Sequence, residues 1–409
     1  MLFLLMALAA AHLPPDRLEF GILPALNYDS DLGLGIGGTV VLARFEPGYA
    51  PYRWRLEATS ITAFRLERQA VDVRFMNDYV LLDVPGLAGG LLRLNLQGAF
   101  QRLTTAGWFG LGNGAPLGEA GRHEQFERSY PNLRGVARFA LYDEELTLGK
   151  RRLEVFGGAD LSRSWISLYP GSLLEAQAAR AIAPHSADDQ VLAGLLHGTA
   201  DHWLLLFVGG LLWDSRDDET VPSTGAFAEL SARGSPGVDA GLRYVGFTAS
   251  LTGFWPLHGP DLVLAGRILG DLLLGDPPLY ALSTFGALAN ISGPGGSMST
   301  RGVLLDRLHG KVKLIGNLEL RARFLPFELW DERFEFGAAA FVDAGRVWAD
   351  TTAQVLDGHL LDTDTLHLQV GLGGGLRFRW GETFILRAEV GLSPTDGTRS
   401  IYIAINQAF

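Results

Sequence analysis

Hydrophobic and polar side chains alternate along much of this 409-residue chain. In an extended strand successive side chains point to opposite faces, so a period of two collects the apolar residues on one side. The plainest case is Leu91 to Phe100, where Leu92, Leu94, Leu96 and Phe100 share one face and Arg93, Asn95 and Gln97 the other. From Lys311 to Phe324, Val312, Leu314, Leu318 and Leu320 oppose Lys313, Asn317, Glu319, Arg321 and Arg323. Trp54, Leu56, Phe64 and Leu66 stand against Arg53, Arg55, Glu57, Arg65 and Glu67. Within Leu366 to Trp380, Leu368, Val370, Leu372, Leu376 and Phe378 alternate with His367, Gln369, Gly371, Gly373, Gly375, Arg377 and Arg379. Helical spacing fits none of these segments, and a slip of one residue would carry the charges onto the apolar face.

The alternation is interrupted at Glu46-Pro47-Gly48, Leu111 to Glu124, Pro170 to Asp189, Asp217 to Thr224, Asp276 to Asp306 and Asp350 to Thr365, which read as turns and loops. The stretch from Asp276 to Asp306, with Ser292-Gly293-Pro294-Gly295-Gly296 inside it, is long for a compact domain. Loops of that length tend to be functional.

Alternation alone suits a soluble antiparallel sandwich as well as a membrane barrel. Composition separates them further. The chain is 47% hydrophobic with 52 Gly and no Cys, and its mean hydropathy is +0.15. A spanning helix needs roughly 18 or more apolar residues in a row. The best candidate, Trp203 to Trp213, is broken by Gly209 and Gly210 and stops at Asp214. Hydrophobicity spread over many half-apolar segments is what strands crossing a bilayer require, each in about 9–11 residues. Aromatic residues near segment ends (Tyr49, Tyr52, Trp54, Trp203, Trp213, Trp255, Trp380) and the terminal Phe409 point the same way. The expected fold is therefore all-β, a transmembrane antiparallel barrel of about sixteen strands.

Met1 to Ala11 is an apolar run with small-x-small sites at Ala7-Leu8-Ala9 and Ala9-Ala10-Ala11, and it reads as a signal peptide lacking a basic start. On this reading residues 1–11 are removed near 9–11, residues 12–20 are a short lead-in and residues 21–409 form the barrel. The formal net charge of -11, with no basic stripe, argues against nucleic acid as a partner.

Candidate chemistry is sparse. Gly33-Leu34-Gly35-Ile36-Gly37-Gly38 fits a dinucleotide fingerprint, but Thr39 to Phe45 continues as β-branched strand where a helix is required. Nine His residues form no HExxH pattern and have no Cys companions. The run Asp214-Ser215-Arg216-Asp217-Asp218-Glu219 lacks calcium-loop spacing, and no GxSxG elbow is present. The expectation is a non-enzymatic chain without metal or cofactor.

Six segments, in order, resemble the barrel domain of the bacterial surface-antigen superfamily (BamA/TamA-type outer-membrane barrels). Trp108-Phe109-Gly110-Leu111-Gly112-Asn113 looks like the family's Y/F-G-x-G-N segment. Leu212-Trp213-Asp214-Ser215-Arg216-Asp217-Asp218, followed by Pro222-Ser223-Thr224-Gly225, resembles its YDTRDN…P-x-S-G strand and turn. Arg301-Gly302 resembles the tip of the loop that folds back into the barrel, although Thr300 and Val303 replace the usual aliphatic and aromatic neighbours. Gly316 to Arg321 resembles the G-x-x-E-L-R strand, Phe341 to Trp348 the F-x-D-x-G-x-V-W strand, and Ile403 to Phe409 the closing strand, with Asn406 where Gly is common.

The resemblance implies that Arg301, in an infolded lumenal loop, meets acids on the inner wall at Glu319 and Asp343. Parity agrees: Phe334, Phe336, Ala338, Ala340, Val342 and Ala344 form an apolar face, which leaves Asp343 with the lumen. The alternative is a solvated Arg301, with the two acids bonded to Arg321 or Arg377. Asp214, Arg216 and Asp217 read either as a lumenal ion-pair ladder or as a charged turn before Gly225. The family implies a seam between first and last strands, with Gly35, Gly37, Ile403, Ile405, Asn406 and Phe409 near it.

Two functions follow as expectations. One is assisted insertion or translocation of protein, or lipid, at the bacterial outer membrane. Its partners would be outer-membrane lipids, the host barrel-assembly machinery through the Phe409 strand, and a separate periplasmic protein, because the lead-in leaves no room for the family's usual POTRA modules. The other is a plugged or narrow diffusion channel.

Overall fold

The computed structural model describes residues 16–409 except 47–51, 68–69, 119–120, 147–148, 287, 330–331, 364, 382–383 and 406. The leader read at Met1 to Ala11 lies outside these residues, as does Asn406.

Sixteen antiparallel strands, each bonded to its neighbour in sequence, close into a barrel. They are β1 (Arg17–Asp29), β2 (Gly33–Phe45), β3 (Trp54–Glu67), β4 (Ala70–Leu87), β5 (Leu92–Gly107), β6 (Gln125–Leu146), β7 (Gly149–Leu168) and β8 (His202–Asp214). The second half adds β9 (Gly225–Pro236), β10 (Arg243–His258), β11 (Leu262–Gly275), β12 (Val312–Leu329), β13 (Glu332–Trp348), β14 (Gln369–Trp380), β15 (Phe384–Ser393) and β16 (Thr398–Ile405). The first strand begins at Arg17, ahead of the Gly21 boundary. The Leu366–Leu368 part of the fourth alternating segment precedes β14.

The period-two pattern is resolved as expected for a barrel inverted relative to a soluble protein. Leu314, Leu318, Leu320, Phe336, Val342, Leu372 and Leu376 are exposed on the outer wall, while Lys313, Asn317, Glu319, Arg321 and Asp343 are buried inside. Phe20, Ile22, Leu133, Phe207, Leu251 and Ile268 extend the apolar belt around the circumference. Such a surface is stable only against lipid. No helix among the described residues is long and apolar enough to cross a membrane.

Antiparallel order places successive connections at alternating rims. One rim holds short turns, the start of β1 and the end of β16; the other holds the long connections 108–124, 169–201, 276–311 and 349–368. The stretch Pro170 to Asp189, expected as loop, contains a helix α1 (Leu173–Ile182) and the start of a second, α2 (Ala187–Leu195). Ser172 accepts from the Glu175 amide, and Ser186 with Asp189 forms a reciprocal capping box. These caps satisfy end amides of short helices, so Ser and Asp residues that suggested turns are helix starts. Leu174, Ala178, Leu192 and Leu195 pack with Trp108, Leu242, Leu279, Leu282 and Leu356 in an apolar cluster that binds the long connections into a cap at this rim.

Candidate functional site

The connection between β11 and β12, residues 276–311, turns back into the lumen and carries Arg301 at its tip. Lumen-facing positions of β12, β13 and β15 supply the acids it meets. Arg301 Nε and Nη2 donate to Asp343 Oδ2 and Oδ1 at 2.8 and 3.0 Å, a two-point fork. Its Nη1 donates to Glu319 Oε2 at 2.7 Å and Glu389 Oε1 at 2.8 Å. The guanidinium also lies 3.4 Å from the centroid of Phe341. A planar, permanently charged fork satisfies several carboxylates at once, which an ammonium does with less directional fit.

The expected triad is thus present, with a fourth member. Glu389 was not anticipated, although its signal was available: within Phe384–Ser393, Arg387, Glu389, Gly391 and Ser393 share the parity opposite Leu386, Ala388, Val390 and Leu392. Of the alternative partners, Arg321 and Arg377 both bond Glu319 in addition to Arg301, and Arg377 also bonds Glu389. Arg321 Nε reaches Glu319 Oε1 at 2.9 Å, and Arg377 Nη2 reaches Glu319 and Glu389 at 3.1 and 2.6 Å. Asn317 Nδ2 donates to Asp343 Oδ1 at 2.8 Å.

The tip needs glycine on both sides of the contact. Gly302 has φ +93°, and a Cβ there would lie 2.7 Å from the Leu392 backbone; a Cβ on wall residue Gly371 would lie 2.0 Å from the Arg301 carbonyl oxygen. Thr300 and Val303, the two departures from the family pattern, are fully buried beside the tip. Burial within the same loop pushes the Asp306 carboxyl up to about 7, despite bonds from Ser283 and the Gly107 backbone. It lowers the His309 imidazole to about 3.

The second feature is the seam. β1 pairs with β2 along all 13 of its residues, but with β16 only through Tyr28↔Ile403 and Asp29↔Tyr402. The Ser30 backbone N–H donates to the Ile401 oxygen at 3.1 Å, and Ser30 Oγ accepts from the Ile401 N–H at 3.2 Å. All contacts lie toward the long-loop end, so the edge of β1 from Arg17 to Asn27 has no strand partner on that side among the described residues. Elsewhere neighbouring strands pair over at least eight residues, as β15 with β16 and β8 with β9.

The infolded loop touches both sides of this junction. Leu305 donates its amide to Asp31 Oδ2, in the β1–β2 turn, at 2.9 Å. On the other side, the Gly302 amide donates to the Tyr402 hydroxyl at 3.1 Å, Thr398 Oγ1 to the Gly302 oxygen at 2.6 Å, and Arg307 Nε pairs with Asp396 at 3.1 Å.

The remaining expected residues fall in different places. Ile403 is in the seam; Ile405 pairs with Leu386 of β15 and has no partner on β1. Gly35 and Gly37 lie on β2, one strand in from the edge. Phe409 is not on the closing strand. β16 ends at Ile405, and Phe409 lies inside the lumen, packed beside Phe254, Val263 and Ala265. Its carbonyl accepts from Arg321 Nη2 at 2.8 Å, and Arg267 and Arg321 flank its ring at 4.9 and 5.1 Å. With no β1 partner beyond Tyr28, these inward contacts decide its course. Asp214, Arg216 and Asp217 form a charged turn: Arg216 bonds Asp214 at 2.7 Å, and Asp217 accepts from the Ser223 and Thr224 amides at 2.9 and 3.1 Å. Gly225 closes it at φ +92°, where a Cβ would lie 2.1 Å from the Ser215 oxygen.

The sequence pattern of the Omp85 superfamily domain matches residues 158–409. Among solved structures, BamA from Haemophilus ducreyi lacking POTRA domains 1-3 is similar at TM-score 0.57 and 14% identity, over 95% of this chain and 70% of that one. CdiB from Escherichia coli is similar at TM-score 0.57 and 11% identity, over 97% of this chain and 68% of that one. At such identities the likeness is one of fold. A comparison with curated proteins returns no match.

Proposed function

This chain belongs to the Omp85 superfamily, and from that membership and its short seam we propose that it assists insertion or translocation of a polypeptide, or of lipid, at a bacterial outer membrane. The observation that carries the reading is the unpaired edge of β1, Arg17 to Asn27, beside a closure of two residue pairs. Exposed backbone N–H and C=O groups are a template for another strand, and strand addition at an open edge gives affinity through main-chain hydrogen bonds. In hydrocarbon such groups cost several kcal/mol each when unsatisfied, so pairing with an incoming strand there is favourable. The partners that go with this reading are outer-membrane lipids, the assembly machinery that places the barrel itself, acting on its last strand, and a separate periplasmic protein that delivers clients.

A disulfide across the seam tests it. The chain has no Cys, so Tyr28→Cys with Ile403→Cys creates a single candidate pair at register partners. The purified barrel, reconstituted in liposomes, is assayed for insertion of an unfolded outer-membrane barrel client. Insertion is expected to stop on oxidation and return on reduction; full insertion by the oxidised barrel overturns the proposal.

A narrow diffusion channel is the second reading, supported by two cavities in the lumen. One of about 840 Å³ is lined by Asn77, Asn95, Gln97, Gln101 and Asn132; another of about 820 Å³ near the long-loop rim is lined by Arg65, Asp72, Arg74 and Arg102. Leu305 of the infolded loop lines both. In planar bilayers this reading expects conductance that rises on Arg301→Ala, and a silent variant counts against it.

A further inference from the structure

Among the described residues around the loop tip, buried arginines outnumber buried carboxylates. Around the loop tip, Arg267, Arg301, Arg321, Arg377 and Arg387 are all buried, against Glu319, Asp343 and Glu389. A carboxylate at Phe409, next to Arg321, would offset one charge and still leave an excess. This runs against the whole chain, in which 45 acidic residues outnumber 34 basic ones. Buried positive charge in excess of its carboxylate partners favours a bound anion.

A pocket marks where it would sit. At the short-turn end of the lumen, Arg321, Arg323, Arg377 and Arg379 line a single cavity of about 40 Å³, with Glu335 the only carboxylate among the described residues on its wall. Pro222 and Ser223 of the β8–β9 turn and Pro260 of the β10–β11 turn also line it. Arg321 is 8% exposed, and its Nη1 has no hydrogen-bond partner among the described residues. Arg323 faces Glu335 and Asp261 at 3.8 and 3.9 Å, close enough for charge attraction but too far for hydrogen bonds. One water takes roughly 10–15 Å³ on this measure, so the space suits a small tetrahedral group rather than a single water.

We propose that this pocket binds a phosphate-type oxyanion, either the free ion or the headgroup of a phospholipid. Guanidinium forks bond pairs of oxygens on one centre, which a monatomic ion cannot offer. The lipid source has a route: Gln407, just past the end of β16, lines the pocket, and the unpaired part of the seam is at the same rim. The inference does not depend on the insertion reading.

The test uses the full chain, folded in an uncharged maltoside detergent. Calorimetric titration with sodium phosphate, at ionic strength held constant with chloride, is expected to give a saturable isotherm. Arg323→Gln and Arg379→Gln, at the pocket margin, are each expected to weaken binding by about tenfold, the loss of one charge-assisted contact, while retaining the folded barrel's heat-resistant gel migration. Native mass spectrometry after exposure to phosphatidylglycerol separates the sources. Retained lipid that is lost in the double variant identifies the headgroup; phosphate binding without retained lipid identifies the free ion. Absence of both in the wild-type protein overturns the proposal, as does unchanged binding in the variants. An acidic peptide that binds where phosphate does not would also overturn it, assigning the arginines to polypeptide carboxylates.

Discussion

Arg301 shows how a single side chain can hold a loop inside a barrel. It is 1% exposed and satisfied by Asp343, Glu319 and Glu389 together. Truncation leaves those acids facing one another, so Arg301→Ala is expected to lower stability by ~3–5 kcal/mol, read as a drop in the urea midpoint of the barrel in detergent. Arg301→Lys keeps charge but loses the fork, and should recover only part of the loss. Asp306 adds a pH dependence. Its carboxyl is raised to about 7 in the folded loop from an ordinary value near 3.8. A raised acid contributes stability that is complete below the ordinary value and is lost as pH rises through 7. Asp189, held down to about 2 by Arg180 and by backbone amides, works in the opposite sense, its contribution disappearing only in strong acid. Between pH 5 and 8 the thermal midpoint should therefore fall in the wild-type protein and stay flatter in Asp306→Asn; equal slopes would remove Asp306 from the account. At this scale, sequence parity placed Glu319 and Asp343 correctly, and the family pattern added Arg301. Glu389 obeys the same parity, but with only Arg387 and Glu389 charged among seven apolar or glycine positions its strand shows a faint polar face.

Strands were the most legible elements, because lipid outside and water or charge inside impose a strict period of two. Leu318 tests that directly: it is 48% exposed on the outer face of β12, between inward-facing Asn317 and Glu319. Leu318→Arg should cost ~2–4 kcal/mol if this position is near the bilayer midplane, whereas Arg at the lumenal position 317 should cost less in lipid exposure. Loops were less legible. The helices at 173–182 and 187–195 are only ten and nine residues long, too short for a helical period to stand out among Pro, Ser and Asp. They hold because Leu174 and Leu192 find an apolar cluster assembled from distant connections, which no local pattern reveals. The path of Phe409 is decided in the same way, by Arg267, Arg321 and Phe254 across the lumen. Gly302 fixes the loop tip, and Gly302→Ala, strained at positive φ and in clash with Leu392, should loosen it. Protease susceptibility of the 276–311 connection would report that.

For the whole molecule, the feature that matters is asymmetry around the circumference. Most strand pairs run eight residues or more, and one junction runs two. The infolded loop touches both sides of that junction, through Asp31 on one and Tyr402, Thr398 and Asp396 on the other. A barrel closed this unevenly is stable as a cylinder yet has one place where opening breaks few bonds. Sequence pattern fixed the cylinder and its polarity, but it could not show how far β1 and β16 overlap, since pairing between the two ends of a chain leaves no local trace.

Amide hydrogen exchange of the barrel in lipid nanodiscs measures that junction most directly. Amides of Arg17 to Asn27 directed toward β16 are expected to exchange rapidly, while those of Phe334 to Gly345, paired on both sides, remain protected. Protection of β1 equal to that of this central strand would mean that the seam is fully laddered, and the account of its function would be wrong.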